Sequence, residues 1–453
     1  MAVRRDRAGV ADPVAEYHDL LFAAGAGGDA EALRAGQEAR SLVFGRRPLC
    51  IALRPQLLSR ARYDAARTAA RGIERALGRL ERALLRDPEL RAELELEPEE
   101  ERLALADPGS RRSSPSIRID GFFADELRFV ENNAESPAGM AYSDTLSEVF
   151  EELGAMRAFR RRFRLRALPV AGRQIQAMVH AFREWGRGER PVLAIVDWTH
   201  VPTLSEFEMF RERFEREGIR TVICDPADLE YRGGRLHAAG RSVNLVYRRV
   251  LTTELLAQPD VAAPLTRAYL DGAVCVVNSF RAKLLHKKMS LALLSDDRYW
   301  DLYTAGDRAA IERHIPWTRK VRQGPATYRG RRVDDLAVFV VENRERMVLK
   351  PNDEYGGKGV VLGWTVEPHE WEQALAVALT QSYVVQEAVE VPRESFPVAV
   401  DGVEMVDLSL DVDPYVFDGR PSGCLTRLSS SALLNVTAGA GSVVPTYVVE
   451  GPR

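Results

Sequence analysis

The chain has 453 residues, 45% hydrophobic and 28% charged, with a formal net charge of −3. That length is ample for two or three domains with a sizeable core, and the charge balance favours neither nucleic acid nor an anionic membrane as a partner. Four scattered cysteines with no C-x-x-C pair argue against a zinc knuckle or a redox pair. There is no apolar signal region and no run of membrane-spanning length, so a cytoplasmic protein with reduced thiols is expected.

Residues 12–105 predict mostly helix. The segment RTAARGIERALGRLERALL has apolar positions at helical spacing and many i,i+4 charge pairs, which suit a solvated outer face. DPGSRRSSPS at 107–116 reads as a linker, and RIDGFFADELRFVENNA then predicts a β-hairpin turning near 124–126. From about 140 to 290 helices and strands alternate. PVLAIVDW and TVICDP predict buried parallel strands, each ending in an aspartate, with the helix SEFEMFRERFEREG between them. Asp197 and Asp225 close those strands and His200 follows the first, at positions that border a ligand crevice in doubly wound sheets. VNLVYRRV and AVCVVNSF predict two more strands, and AKLLHKKMSLALLSD at 282–296 a single helix. The last third is richer in strands.

Two places in this series carry chemistry. In the hairpin, Arg118 and Asp120 are two residues apart, as are Glu131 and Asn133. The period of a strand is two, so all four can meet on one face. Two carboxylates and a carboxamide oxygen form a hard, oxygen-only set suited to Mg²⁺, and Arg118 beside them could neutralise phosphoryl oxygens. The same residues would also suit an ordinary polar hairpin edge. The second place is VLKPNDEYGGKGVVLG at 348–363, a strand, a glycine-bearing tip and a second strand. Gly356, Gly357 and Gly359 let backbone N–H groups line an anion site, and Lys350 and Lys358 add positive charge, as a flap over polyphosphate would require. The P-loop pattern is absent, and a plain glycine-rich hairpin remains the competing reading.

RID at 118–120 followed by ENNAESPAG at 131–139 resembles the magnesium-binding segment of glutathionylspermidine synthases and related circularly permuted ATP-grasp proteins. NLVYRRV resembles the pre-ATP-grasp part of that family, VLKPNDEYGGKGV its phosphate loop, VVQEAVE at 384–390 its interlobe segment and CLTRLSSSALLNVTAGAGSVVPTYVV at 424–449 its closing segment. The likeness runs in order from about 115 to 450 and leaves the first hundred residues without a counterpart.

The resemblance implies an α/β (α+β), circularly permuted ATP-grasp fold. It divides the chain into a helical region at 1–110, the metal-binding hairpin with a pre-ATP-grasp-like domain at 111–300, and the nucleotide-binding region at 301–453. It also implies ATP and Mg²⁺ as cofactors. Asp120, Glu131 and Asn133 would be the metal ligands, and Lys350, Gly356, Gly357, Lys358 and Gly359 would lie on the phosphates. Gln386 and Glu387 would lie near adenine or ribose, and Arg118 and Arg427 would act on the transferred group. A further lysine is usual, for which Lys288 is preferred over Lys283 and Lys287. Gly439 and Gly441 stand for the closing glycines. The implied activity is an ADP-forming ligase that joins a small-molecule or peptide carboxylate to an amine through an acyl phosphate. A small-molecule kinase or a silent nucleotide-binding protein would share the same nucleotide residues.

Overall fold

In the computed structural model the described residues are 12–45, 47–431 and 441–453. The N-terminal part is mainly helical and its longest element is α1, Arg60–Arg86. Ser59 caps it by accepting from Arg62 N, and Tyr63, Ala66, Ala70, Ile73, Leu77, Leu80 and Leu84 form its buried stripe at helical spacing. A short helix, α2 (Pro98–Leu105), ends this part.

The expected hairpin follows as β1 (Ser116–Phe123) and β2 (Leu127–Asn133), turning over 124–126. Its register shifts between Asp120 and Gly121, a bulge that leaves Val130 unpaired. Only glycine fits at 121, because a Cβ there would sit 2.7 Å from the Arg128 carbonyl oxygen. The α/β part then supplies β3 (Val192–Val196), α3 (Leu204–Arg216), β4 (Arg220–Cys224), β5 (Leu245–Arg248), the one-turn helix α4 (Thr252–Leu256) and β6 (Cys275–Val277). Its four strands form a parallel sheet in the order β6-β5-β3-β4; β3 and β4 are the two strands expected to be parallel, and the further strands β5 and β6 join them in the same sense.

The single helix expected at 282–296 is instead two, α5 (Lys283–His286) and α6 (Met289–Ser295), broken at Lys287, whose ψ of 136° is extended. The break has a cause in another segment. Asn352 takes the N–H of Lys288 on its main-chain oxygen and that of Met289 on Oδ1, both at 2.9 Å, so these donors do not continue the helix.

A second sheet runs β7 (Thr318–Lys320), β10 (Tyr383–Glu387), β8 (Met347–Pro351), β9 (Val361–Leu362), with β8 and β9 forming the expected glycine-tipped hairpin. The last strands are β11 (Arg393–Ala399), β12 (Val403–Leu410), β13 (Asp413–Phe417), β14 (Arg420–Ser429) and β15 (Ser442–Val444). They do not form a sheet of their own. The order is β11-β12-β14-β13-β1-β2 with β15 on β14, so the early hairpin completes a seven-stranded sheet built largely from the C-terminal third. A three-stranded sheet joins the short strand Gln56–Ser59 in parallel to Thr446–Pro452, which also pairs with Phe163–Ala167. Among the described residues no helix is long and apolar enough to cross a membrane.

Asn352 is buried, and its Nδ2 also donates to Leu94 O and Ser382 Oγ, each at 3.0 Å. Asn352→Ala leaves Met289 N and Leu94 O without these partners. Urea denaturation should show a loss of about 2–4 kcal/mol, the sum expected for two buried groups left unsatisfied.

Candidate nucleotide and acyl-transfer site

Arg118 pairs with Asn133 and Asp120 with Glu131 across the hairpin, which puts all four on one face, as their spacing predicts. The Arg118 guanidinium holds Asp120 with two bonds, Nε to Oδ1 at 2.7 Å and Nη2 to Oδ2 at 2.9 Å, and its Nη1 donates to Ala138 O at 3.0 Å. Arg427 arrives from β14 and donates from Nη2 to the same Asp120 Oδ2 at 2.8 Å. Its own backbone N and Nε are held by the two oxygens of Asp411, each at 2.7 Å, and Nη2 lies 3.0 Å from Asp413 Oδ2.

Asp411 and Asp413 were not singled out from the sequence. Their signal is an i,i+2 pair of carboxylates in SLDVD, the same period-two spacing that sets Arg118 beside Asp120 in RID. Burial pushes both carboxyls above the usual range, and for Asp413 the charges of Asp120 and Asp411 add to it. Burial opposes the charge on both arginines. The neighbouring aspartates outweigh it and carry Arg118 and Arg427 above the ordinary arginine range.

The second half of the site meets the first at β2. Lys350 on β8 donates to Gln386 Oε1 at 2.6 Å and to the bulge carbonyl of Val130 at 3.2 Å. Lys288, released by the helix break, lies 2.8 Å from Glu131 Oε1 and donates to Glu354 O at 2.5 Å. The structure therefore brings Lys288, Lys350, Gln386 and Glu131 together. Lys283 and Lys287 are turned instead toward Asp353, at 2.6 and 3.5 Å.

Two other expected residues are placed apart. Gln386 lies opposite Val348 and Glu387 opposite Met347, so the two occupy alternate faces of β10. Glu387 accepts from Tyr328 Oη at 2.6 Å and Arg329 Nη2 at 2.7 Å and lines a cavity of about 1050 Å³ with Trp317, Arg319 and Ala388–Glu390. Lys358 stands at the loop tip with a side chain 76% exposed and a 3.0 Å contact to Glu354. Gly356, Gly357 and Gly359 all have φ between 63° and 77°, the left-handed region that the flap reading needs. Gly439 lies outside the described residues, while Gly441 directly precedes β15. Asp225 acts as a cap, accepting from Thr199 N and Ala227 N, and His200 is exposed. Among the described residues no three His, Cys, Asp or Glu side chains are arranged to hold a metal by themselves.

One sequence signal would have marked this region directly. The chain has six lysines, all between 283 and 358, in a protein whose other basic residues are arginines and histidines. Lys283, Lys287, Lys288 and Lys358 contact residues 353–354, and Lys350 lies near the end of the strand that leads into the same loop.

No family model and no curated protein sequence matches the chain. Solved structures do. The chain is similar to a glutathione synthetase-like effector from Globodera pallida, determined in its apo form, at 13% identity and a TM-score of 0.54 over 93% of this chain and 97% of that one. It also aligns with D-cycloserine synthetase at 18% identity over 53% of this chain and 93% of that one, but the TM-score of 0.28 is too low for an argument. The first likeness supports a mixed α/β, ATP-grasp-like fold for this chain.

Burial pushes Lys350 down to about 8, with Glu131 opposing the fall and Lys288 adding to it. Burial would raise the Glu131 carboxyl, but Lys288 and Lys350 hold it at about 2. With only six lysines, reductive ¹³C-methylation should give resolvable NMR signals. One should titrate near pH 8, and Glu131→Gln should move it lower still, because the charge that retains its proton is gone. The Glu131 contribution to stability is felt at acid pH: it is fully present above about 4.5 and is lost as pH falls toward 2.

Proposed function

We propose that the protein is an ATP-dependent, ADP-forming ligase joining a carboxylate to an amine, with a circularly permuted ATP-grasp order. The observation that carries this reading is the convergence of two lysines from separate segments on β2 of the hairpin, Lys288 on the Glu131 carboxylate and Lys350 on the adjacent Val130 carbonyl, beside the glycine loop at Glu354. The permuted order is supported by a hairpin at 116–133 that precedes the loop in the chain yet completes the sheet of 393–429.

In this reading Lys350 and Lys288 neutralise the nucleotide phosphates, and the backbone of Gly356, Gly357 and Gly359 covers them, with Lys358 at the rim. Gln386 fixes the head group of Lys350. Glu387, on the outer face of the interlobe strand, belongs to the adenine and ribose end. Asp120 and Glu131, facing each other across the hairpin, and the carboxamide oxygen of Asn133 on the same face form an oxygen set that suits a Mg²⁺ ion taking its remaining ligands from phosphate and water. When bound there, the ion would neutralise phosphate charge. Arg118 and Arg427, held rigid by Asp120, Asp411 and Asp413, are aimed at charge that develops on the transferred group.

A carboxylate oxygen of the first substrate attacks the γ-phosphorus, the bond to ADP breaks, and an acyl phosphate results. The amine nitrogen of the second substrate then attacks the acyl carbon. Phosphate leaves with the carboxylate oxygen, and the amine proton passes to solvent. Positioning and charge neutralisation supply the catalysis, with no covalent intermediate on the protein.

The tracer test separates this reading from a kinase. A carboxylate substrate labelled with ¹⁸O should deliver label to inorganic phosphate, whereas a kinase releases none. Mg-ATP at a hundredfold excess over its dissociation constant should add about 2.7 kcal/mol of stability. Glu131→Gln should cut turnover about 10²–10³-fold, the range for removing a transition-state charge partner, with the fold unchanged by circular dichroism. An unmoved melting curve with millimolar Mg-ATP overturns the reading.

A further inference from the structure

The helical region before the hairpin has no counterpart in the segments that carry the family resemblance, yet residues 93–100 are packed against the root of the glycine loop. Asn352 Nδ2 donates to Leu94 O at 3.0 Å, Lys287 Nζ to Glu95 O at 2.9 Å, and Lys320 lies 2.6 Å from Glu95 Oε1. Ser382, just before β10, also donates to the Glu95 carboxylate.

Glu100 of α2 is 2% exposed and both its oxygens are occupied. Oε1 accepts from Thr253 Oγ1 at 3.2 Å and lies 3.4 Å from Lys283 Nζ. Oε2 lies 2.9 Å from Lys287 Nζ and accepts Glu97 N at 3.1 Å. Both lysines then reach Asp353, as does Thr253 Oγ1 at 2.9 Å. On the far side, Glu135 is fully buried and lies 3.4 Å from Lys283 and 3.1 Å from Arg248.

Away from water these groups must balance. Without Glu100, two ammonium groups would share Asp353 alone on this side of the cluster, and like charges so close repel strongly at low dielectric. Asp353 directly precedes Glu354, whose carbonyl holds Lys288.

We propose that Glu100 is a positioning residue for the glycine loop, acting through Lys283 and Lys287 on Asp353, so that the N-terminal helices are a working part of the nucleotide lobe. The loop's nucleotide role rests on the ligase reading above; its anchoring by Glu100 does not. The helix cap that Glu100 also provides is a local matter of α2, and the test must separate the two.

Hydrogen-exchange mass spectrometry on the full chain makes that separation. In Glu100→Gln, peptides covering 352–360 should exchange at least about tenfold faster than in the wild type, while the strand at 192–196 keeps its protection. Leu265→Ala, a cavity in the core beside the parallel sheet, serves as the control for general loss of stability. Where turnover is measurable, KM for ATP should rise about tenfold and kcat stay within about threefold. Unchanged loop exchange in Glu100→Gln, or a rise matched at 192–196 and in Leu265→Ala, overturns the proposal. If Glu100→Gln does not fold, Glu100→Gln with Lys287→Met removes the pair together. Fast loop exchange in that variant supports the proposal, and normal loop protection overturns it. Failure of Mg-ATP to protect the wild-type loop counts against the ligase reading and leaves the anchoring result intact.

Discussion

Lys288 and Glu131, 2.8 Å apart and largely shielded from solvent, form the contact through which the two halves of the site are joined. A buried ion pair adds little net stability, because desolvation of both charges offsets their attraction. What it does is make each partner intolerant of the other's absence. The helix break at Lys287 presents Lys288, the bulge at Val130 opens the strand beside Glu131, and Asn352 holds the break open. Each of these would be a local defect by itself. Together they place Lys288 on the Glu131 carboxylate and Lys350 on the neighbouring Val130 carbonyl, next to a loop whose three glycines all have positive φ.

The aspartate and arginine cluster obeys the same rule with a different outcome. Three carboxylates, Asp120, Asp411 and Asp413, meet two guanidinium groups, so the cluster is one positive charge short. Burial raises the proton affinities of Asp411 and Asp413, and the neighbouring carboxylates add to it. Arg427 is fixed at its backbone, its Nε and its Nη2, which leaves little freedom for its planar head to reorient.

Much of this was legible before any coordinates. Period-two spacing places Arg118, Asp120, Glu131 and Asn133 on one face, and apolar runs ending in aspartate mark two of the four parallel strands. Those features are local, with the side-chain pattern itself as the signal. The illegible parts depend on distant segments. Nothing in AKLLHKKMSLALLSD announces that Asn352 will take two of its N–H groups. Face parity separated Glu387 from Gln386, but only once the strand's neighbours and register were known. The place of residues 93–100 is hidden for another reason: Glu100, which holds Lys283 and Lys287, looks in sequence like one more acid in the first turn of a helix.

The small sheet that pairs Gln56–Ser59 with Thr446–Pro452 has a consequence for how the molecule is made. A chain emerging from the ribosome exposes the first strand while its partner is still unsynthesised, and the early hairpin likewise waits for β13. The sheets cannot close until residues 446–452 and 413–417, respectively, have been made. Loop closure over so long a separation is slow, and the waiting strands carry unpaired edges. Assembly of the N-terminal part therefore waits for the strands at 413–452, and a nascent chain paused before them would hold the long helix α1 beside sheets that lack these partner strands.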